Sequence, residues 1–341
     1  MSAQNKKMKI GKCILNGEKI YIQSMLNARS DDIDGNISQA CELEKAGCDI
    51  LRVAIPNALA LELIPAIKSK ISIPLVADIH YDYKLALGAV ERSIDKIRIN
   101  PGNIGDKERV KAVAVACNSK NIPIRIGVNG GSSKEGLVES AISHIKLLEE
   151  FDFNNIVVSI KSSNIAETVK ANREFRAKYD YPLHLGITEA GTERMGLIKN
   201  AIGIGSLLLD GIGETIRVSL TADPVKELQA AKDILLSIGK YKGIEIISCP
   251  TCGRTRIDVE KIANDLEIAI KNNLKLANVN CKLAVMGCAV NGVGEGKDAD
   301  IGIAGGDGCA VLFKKGKLLR KIKEEFLVEE ILEELSNFVA E

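Results

Sequence analysis

Residues 74–100 read PLVADIHYDYKLALGAVERSIDKIRIN, and this stretch decides the fold. Two β-rich runs stand at its ends, residues 74–79 and 96–100, with a helix-length segment between them. The same unit recurs along the chain. Further β-rich runs lie at 20–25, 50–55, 123–128, 155–160, 182–187 and 214–219. The segments between them carry apolar residues at three- and four-residue intervals, as at Leu137, Ala141, Ile145 and Leu148. Gly47, after residues 37–46, marks a helix stop. A doubly wound sheet shares this alternation, but eight units in about 240 residues fit a (β/α)8 TIM barrel better. Ahead of the first run, residues 9–15 and 18–23 flank Asn16-Gly17, a strong hairpin signal. Such a hairpin is expected to plug the lower end of the barrel.

The pattern changes after about residue 240, with Lys240-Tyr241-Lys242-Gly243 as the expected junction. Strands are expected at 244–248, 282–286, 300–303 and 310–314. An amphipathic helix over 259–270 puts Val259, Ile262, Leu266 and Ile270 on one face, and Asp258 suits its N-cap. A last helix spans 328–338. The division is therefore a barrel domain, 1–240, and a smaller α+β domain, 241–341.

Composition narrows the function classes. The chain has 341 residues, 46% of them hydrophobic, which is ample for a buried core and long for one domain. A net charge of +1 argues against bulk attraction to nucleic acid or membrane, and the absence of Trp removes the strongest base-stacking platform. The lysines of residues 1–12 precede no apolar run, so no signal peptide is expected, and no stretch of about 18 apolar residues could span a bilayer. Nine cysteines in a large chain read as reduced thiols of a cytoplasmic protein, some of them ligands.

Active sites of such barrels sit at the C-terminal ends of the strands. In order, those ends offer Gln23 and Ser24; Arg52; Asp78 and His80; Arg98 and Asn100; Arg125 and Asn129; Ser159 and Lys161; His184, Thr188 and Glu189; Arg217 and Ser219. Arg52, Arg98, Arg125, Lys161 and Arg217 come from five different strands and converge on one mouth. Any one of them could be an ordinary rim salt bridge. Together they are costly unless a polyanion neutralises them, and Arg forks match phosphate oxygens two at a time. A diphosphate-bearing substrate is the expected fit. Glu189 and His80 could move protons near the reacting carbon. Asp78 could bind substrate or pair with a neighbouring Arg. His144 lies in a helical segment and reads as packing.

The other chemistry is sulfur. Cys249-Pro250-Thr251-Cys252 is followed by Cys288, which opens a Gly-rich loop, residues 291–296, with Glu295 near its end. Cys-x-x-Cys alone is ambiguous between zinc, a redox dithiol and an iron–sulfur cluster. A zinc ribbon wants a second Cys-x-x-Cys, and a hydrolytic zinc site wants a His-rich set; neither is present. Cys281 reads as a core thiol. The loop could bring the Glu295 carboxylate to the same metal, leaving one weakly held, exchangeable position.

Several ordered motifs now carry a resemblance. They are Gln23-Ser24-Met25, the run from Lys96 to Asn103, Arg125-Ile126-Gly127-Val128-Asn129, the run from Gly186 to Gly191, the run from Ser248 to Arg254, and the run from Gly287 to Glu295. Over essentially its whole length the chain resembles the 4-hydroxy-3-methylbut-2-enyl diphosphate synthase family of the non-mevalonate isoprenoid pathway, in its bacterial two-domain form. The resemblance implies reductive ring opening of 2-C-methyl-D-erythritol 2,4-cyclodiphosphate. It implies a [4Fe–4S] cluster on Cys249, Cys252, Cys288 and Glu295. It implies a substrate held by Gln23, Arg52, Asp78, Arg98, Asn100, Arg125, Asn129, Lys161, His184, Arg217, Ser219 and Asn291, with Glu189, Glu295 and His80 in the chemistry. It implies electrons from flavodoxin or ferredoxin, and a head-to-tail homodimer whose active site is shared between chains. The family usually has Pro where Val293 stands, which frees the backbone slightly here. Two other readings compete: a pterin-type barrel methyltransferase, and a non-catalytic phosphometabolite-binding barrel with a structural zinc module.

Overall fold

Eight parallel strands form a ring. They are β3 (Tyr21–Met25), β4 (Ile50–Ala54), β5 (Leu75–Asp78), β6 (Lys96–Ile99), β7 (Ile124–Asn129), β8 (Ile156–Lys161), β9 (His184–Leu185) and β10 (Thr215–Ile216), preceded by β1 (Met8–Ile10) and β2 (Cys13–Leu15). Ladder order is β8-β7-β6-β5-β4-β3-β10-β9, and a parallel bridge between Val158 and Leu183 completes the circle. The expected TIM barrel is what the chain forms. The computed structural model describes residues 8–130, 136–276, 279–294 and 296–338.

Helices α1 (Ile33–Lys45), α2 (Leu63–Lys68), α3 (Tyr83–Glu91), α4 (Pro101–Ile104), α5 (Lys107–Ser119), α6 (Leu137–Glu149), α7 (Ile165–Lys178), α8 (Glu193–Leu209) and α9 (Pro224–Ser237) follow the strands. Short side chains fix where several begin. Asp32, Asp82, Asp106, Asn164 and Asp223 each accept a hydrogen bond from a first-turn amide. Such caps contribute about 1 kcal/mol each. Outward-facing strand residues such as Leu51, Ala77, Ile97, Ile126, Val158 and Leu185 pack against the helices as one core. His144 is half-buried on α6, in line with a packing role.

Two expectations need correction here. The N-terminal hairpin turns at Gly11-Lys12 and not at Asn16-Gly17, because β1 pairs with β2 from Met8↔Leu15 to Ile10↔Cys13. Gly11 takes φ +51, which a two-residue hairpin turn needs. Only this register turns Met8, Ile10, Cys13 and Leu15 together onto Ile50, Val76 and Val157 at the barrel floor. The hairpin does plug the lower end. The last two ring strands are two residues long, against an expected six. Gly186 explains part of this: a Cβ there would lie 2.5 Å from Lys161 Nζ and 2.6 Å from the Arg217 carbonyl. The backbone passes too close to its neighbours for a regular ladder.

The chain divides into Met1–Ile238 and Gly239–Glu341. In the second unit, β11 (Ile244–Ser248), β12 (Cys281–Met286) and β13 (Ile301–Gly306) run parallel, and β14 (Cys309–Lys314) and β15 (Lys317–Lys323) return antiparallel. Helices α10 (Val259–Asn272) and α12 (Leu327–Ser336) share a core with this sheet. Asp258 caps α10 through the Lys261 amide, as expected. Strand β15 was not anticipated, because KLLRKIK has one buried residue, Ile322, and so no two-residue alternation. The expected Gly-rich loop is in part a helix, α11 (Ala289–Gly294). Glycine is a poor helix former. Here the helix lies so close to β13 that a Cβ on Gly292 would fall 2.2 Å from Ala304 Cβ. Tertiary contact overrides propensity.

Candidate active site

Alternation along the strands points one set of side chains into the barrel. At the floor it is apolar, as the hairpin contacts show. Above the floor it is polar and cationic, where TIM barrels ordinarily use branched apolar residues. Arg52, Asp78, His80, Arg98, Arg125, Asn129, Lys161, Arg217 and Ser219 line one cavity at the C-terminal strand ends, together with Gly127, Ser159, Ile187 and Thr188; its volume is about 190 Å³. The structure thus brings together all five expected cations.

Asp78 is the organising carboxylate. It lies 3.1 Å from Arg98 Nη1, 3.5 Å from Arg52 Nη2 and 3.4 Å from His80 Nε2. Burial by itself would push its pKa up. Arg52, the His80 contact, Arg98 and Arg125 more than reverse this and hold it well below the usual carboxylate range. Asp78 thus pairs with neighbouring arginines in this structure. His80 is half-exposed, and its Nε2 also lies 3.2 Å from Arg98 Nη1.

Counter-charge then runs out. Arg217 pairs with Glu227 at 3.3 Å. Arg125 and Lys161 make no ion pair among the described residues, yet both are buried. Arg125 Nε and Nη1, Arg98 Nε and Arg217 Nε are buried with no hydrogen-bond partner. Burial first, then Arg52 and Arg98, push the Arg125 pKa down, but a guanidinium starts high enough to stay charged. Lys161 is likewise pushed well down by burial and by Arg125. Buried donors without partners on convergent cations make a site that fits an oxyanion.

Other expected residues lie elsewhere. Gln23 and His184 are fully buried beneath the mouth, with His184 Nδ1 2.8 Å from Thr215 Oγ1. Asn100 caps α4, accepting from the Gly102 amide at 3.1 Å. Glu189 is exposed beyond the cavity and holds φ +52, a left-handed conformation that is costly for a non-glycine residue. Asn291 lies in the second unit, on α11. Glu295 falls outside the described residues.

Three residues of the barrel site escaped the sequence reading. Met25 offers its sulfur to Arg52 at 2.7 and 3.1 Å. Glu227, on α9, also accepts from the Leu220 amide at 2.9 Å; a helical position gives no strand-end signal. Lys96 is wholly buried, and its signal was legible: it stands two residues before Arg98 on β6, so both face inward.

In the second unit, Cys249 and Cys288 follow the C-terminal ends of the adjacent parallel strands β11 and β12. The Gly287 amide donates to Cys249 Sγ at 3.1 Å, a contact that stabilises a ligating thiolate. Cys252 is exposed, and a backbone hydrogen bond at Arg254 lowers its thiol pKa. Cys281 opens β12 at the other end of the sheet, about 20 Å away along the strand. Burial pushes its thiol up to about 12, which suits the expected core role. Among the described residues, no three His, Cys, Asp or Glu side chains gather closely enough to share one metal ion. An iron–sulfur cluster does not ask for that, because its thiolates bind different irons. Cys249 and Cys288 at adjacent strand ends, with Cys252 three residues on from Cys249 and Cys249 already receiving an N–H···S bond, fit such a cluster.

Fold and sites together define an enzyme of the (β/α)8 class with a cationic mouth and a second unit that carries Cys249, Cys252 and Cys288. The sequence matches the GcpE TIM-barrel domain over residues 5–232 and the GcpE protein C-terminal domain over residues 245–337. The chain belongs to the GcpE family. A relative from Clostridium perfringens, 4-hydroxy-3-methylbut-2-en-1-yl diphosphate synthase (flavodoxin), is 53% identical, covering 96% of this chain and 97% of its own. Its namesake from Caldanaerobacter subterraneus is 50% identical over 100% of this chain and 99% of its own. Among solved structures, dihydropteroate synthase from Yersinia pestis is similar over 69% of this chain and 100% of its own, with TM-score 0.53 and 13% identity. Type I 3-dehydroquinate dehydratase from Clostridium difficile is similar over 70% and 99%, with TM-score 0.52 and 15% identity. These two likenesses show the barrel fold alone. No helix among the described residues is long and apolar enough to cross a membrane.

Proposed function

We infer that this chain is an iron–sulfur oxidoreductase that opens 2-C-methyl-D-erythritol 2,4-cyclodiphosphate reductively to (E)-4-hydroxy-3-methylbut-2-enyl diphosphate, with loss of water. The observations that carry the reading are a barrel mouth whose cations outnumber their carboxylates among the described residues, and a second unit of the same chain that carries Cys249 and Cys288 at adjacent strand ends with Cys252 three residues on from Cys249. Full-length relatives at about half identity bear the name of this synthase. They do not favour the pterin-type methyltransferase or the zinc module.

The barrel residues act on the diphosphate. Arg125 and Lys161 take its oxygens first, since neither has a carboxylate to give up among the described residues. Arg52 and Arg98 are held in place by Asp78, and Arg217 by Glu227, so their forks are preorganised and little side-chain entropy is lost on binding. Asn129 and Ser219 add neutral hydrogen bonds at the rim. Gln23, Asn100, His184 and Asn291 are assigned to substrate contacts on the resemblance. Ring opening breaks a C–O bond to phosphate, and the departing hydroxyl needs a proton. Glu189 and His80, both exposed beside the mouth, are the groups to supply it.

The finer assignments rest on the resemblance. A [4Fe–4S] cluster is held by Cys249, Cys252, Cys288 and Glu295, and when bound it delivers electrons singly. Flavodoxin or ferredoxin is the donor. The protein works in the cytoplasm as a head-to-tail homodimer, each cluster domain (241–341) serving the barrel (1–240) of its partner. The test is anaerobic reconstitution with iron and sulfide, then turnover of the cyclic diphosphate with a strong reductant. Formation of the linear hydroxylated diphosphate is expected. A reconstituted protein that leaves the cyclic substrate intact would overturn the reading.

A further inference from the structure

Lys96 is wholly buried inside the barrel and has one weak hydrogen-bond partner. It is 0% exposed, and its Nζ lies 3.5 Å from Gln23 Oε1, too long for a strong hydrogen bond. The other amide atom, Gln23 Nε2, has no partner among the described residues. The charged and titratable groups around Lys96 are Arg125 and Arg52, the fully buried His184, and Cys13 from the floor hairpin. None of these offers a carboxylate. The two acids of this region, Asp78 and Glu227, are already shared among Arg52, Arg98 and Arg217.

We propose that Lys96 is neutral in the anion-free barrel and takes a proton from solvent when a diphosphate settles on the arginines above it. The inference rests on the reading of the mouth as a diphosphate site. A wholly buried ammonium with one weak acceptor, and no carboxylate among the described residues, would be costly, so the amine without an anion nearby is taken as neutral; burial, Arg125 and Arg52 push its pKa in the same direction. A diphosphate brings about two to three negative charges. Lys96 lies about one pleat, roughly 7 Å, below Arg98, which places the anion about 10 Å from its nitrogen. At an effective dielectric of about 20, each charge at that distance raises proton affinity about fifteen-fold. Two or three such charges raise it by a factor of hundreds or more, enough to carry a depressed amine through neutrality. Lys96 then acts as a positioning residue. It touches no substrate atom, but its charge appears only when enough negative charge is present, which favours a diphosphate over a monophosphate.

The sign follows from linkage. Binding that takes up a proton weakens as pH rises, by up to tenfold per unit between the free and bound pKa of the amine. The test is titration calorimetry of the full chain with inorganic diphosphate at neutral pH, in buffers of different ionisation enthalpy, for the parent and for Lys96→Met. Subtraction cancels the proton balance of diphosphate itself. The parent is expected to take up about one more proton per site than the variant. Its affinity advantage, tenfold or more at about pH 6.5, should shrink as pH rises. Because Met replaces an uncharged amine, the anion-free variant should melt no lower than the parent, whereas Lys96→Arg, permanently charged, should melt lower. Equal proton counts in parent and Lys96→Met would overturn the proposal while leaving the diphosphate site intact. A Lys96→Arg variant that melts as high as the anion-free parent would overturn it too, by showing that the parent already carries the cost of a charge there. If the parent itself binds no diphosphate, the reading of the mouth fails and the proposal with it.

Discussion

Asp78→Asn tests how the barrel mouth is held together. In the parent the carboxylate lies 3.1 Å from Arg98 and 3.5 Å from Arg52, and it is 3% exposed. The amide keeps the shape and loses the charge, leaving two guanidiniums buried without their counter-ion. Removing one partner of a buried pair costs about 3–5 kcal/mol. An amide oxygen still accepts one N–H, so the expected loss is near the lower end, about 3 kcal/mol. For a barrel of this size that lowers the melting temperature by about 6–12 °C. The assay is thermal unfolding by circular dichroism, with and without inorganic diphosphate. Because the anion replaces the missing negative charge, it should raise the melting temperature of the variant more than that of the parent. The pH dependence has a definite sign. The folded pKa of Asp78 is depressed, so its contribution is fully present above the unfolded value of about 3.9 and is lost as pH falls through the folded value. The gap between parent and variant should therefore be flat from about pH 5 to 8 and close only in acid. A loss below about 1 kcal/mol, equal stabilisation of both proteins by diphosphate, or a gap that closes near neutrality would refute the reasoning.

Three further outcomes are expected. Cys249→Ala, Cys252→Ala and Cys288→Ala should each lose iron after anaerobic reconstitution while Cys281→Ala retains it, measured as iron per chain; iron loss in Cys281→Ala alone would reverse the assignment. Gly292→Ala places a Cβ 2.2 Å from Ala304 Cβ, so overpacking should cost about 1–3 kcal/mol and impair cluster assembly, read by denaturant unfolding and visible absorbance. Mixing Arg98→Ala/Lys161→Ala protein with Cys249→Ala protein under subunit exchange should restore activity; confirmed heterodimers that stay inactive would count against a site shared between chains.

Much of this protein was legible in sequence because the signals are local. Strand and helix periods are properties of neighbouring residues, and eight alternations leave few topologies besides a closed barrel. The strand-end rule then named Arg52, Arg98, Arg125, Lys161 and Arg217 as convergent, and all five line one cavity. Spacing singled out Cys249, Cys252 and Cys288 from nine cysteines. Tertiary structure decided the rest. Asn16-Gly17 has the better turn chemistry, but the hairpin turns at Gly11 because only that register buries its apolar side chains on the barrel floor. The glycines of α11 argue for a loop, and close packing on β13 makes a helix of them. No local pattern could assign the carboxylates. Asp78 reaches Arg52 and Arg98 across neighbouring strands, Glu227 reaches Arg217 from a helix, and Arg125, Lys161 and Lys96 are left with none among the described residues. That division of charge depends on distances between residues far apart in the chain, and only closing the barrel sets them.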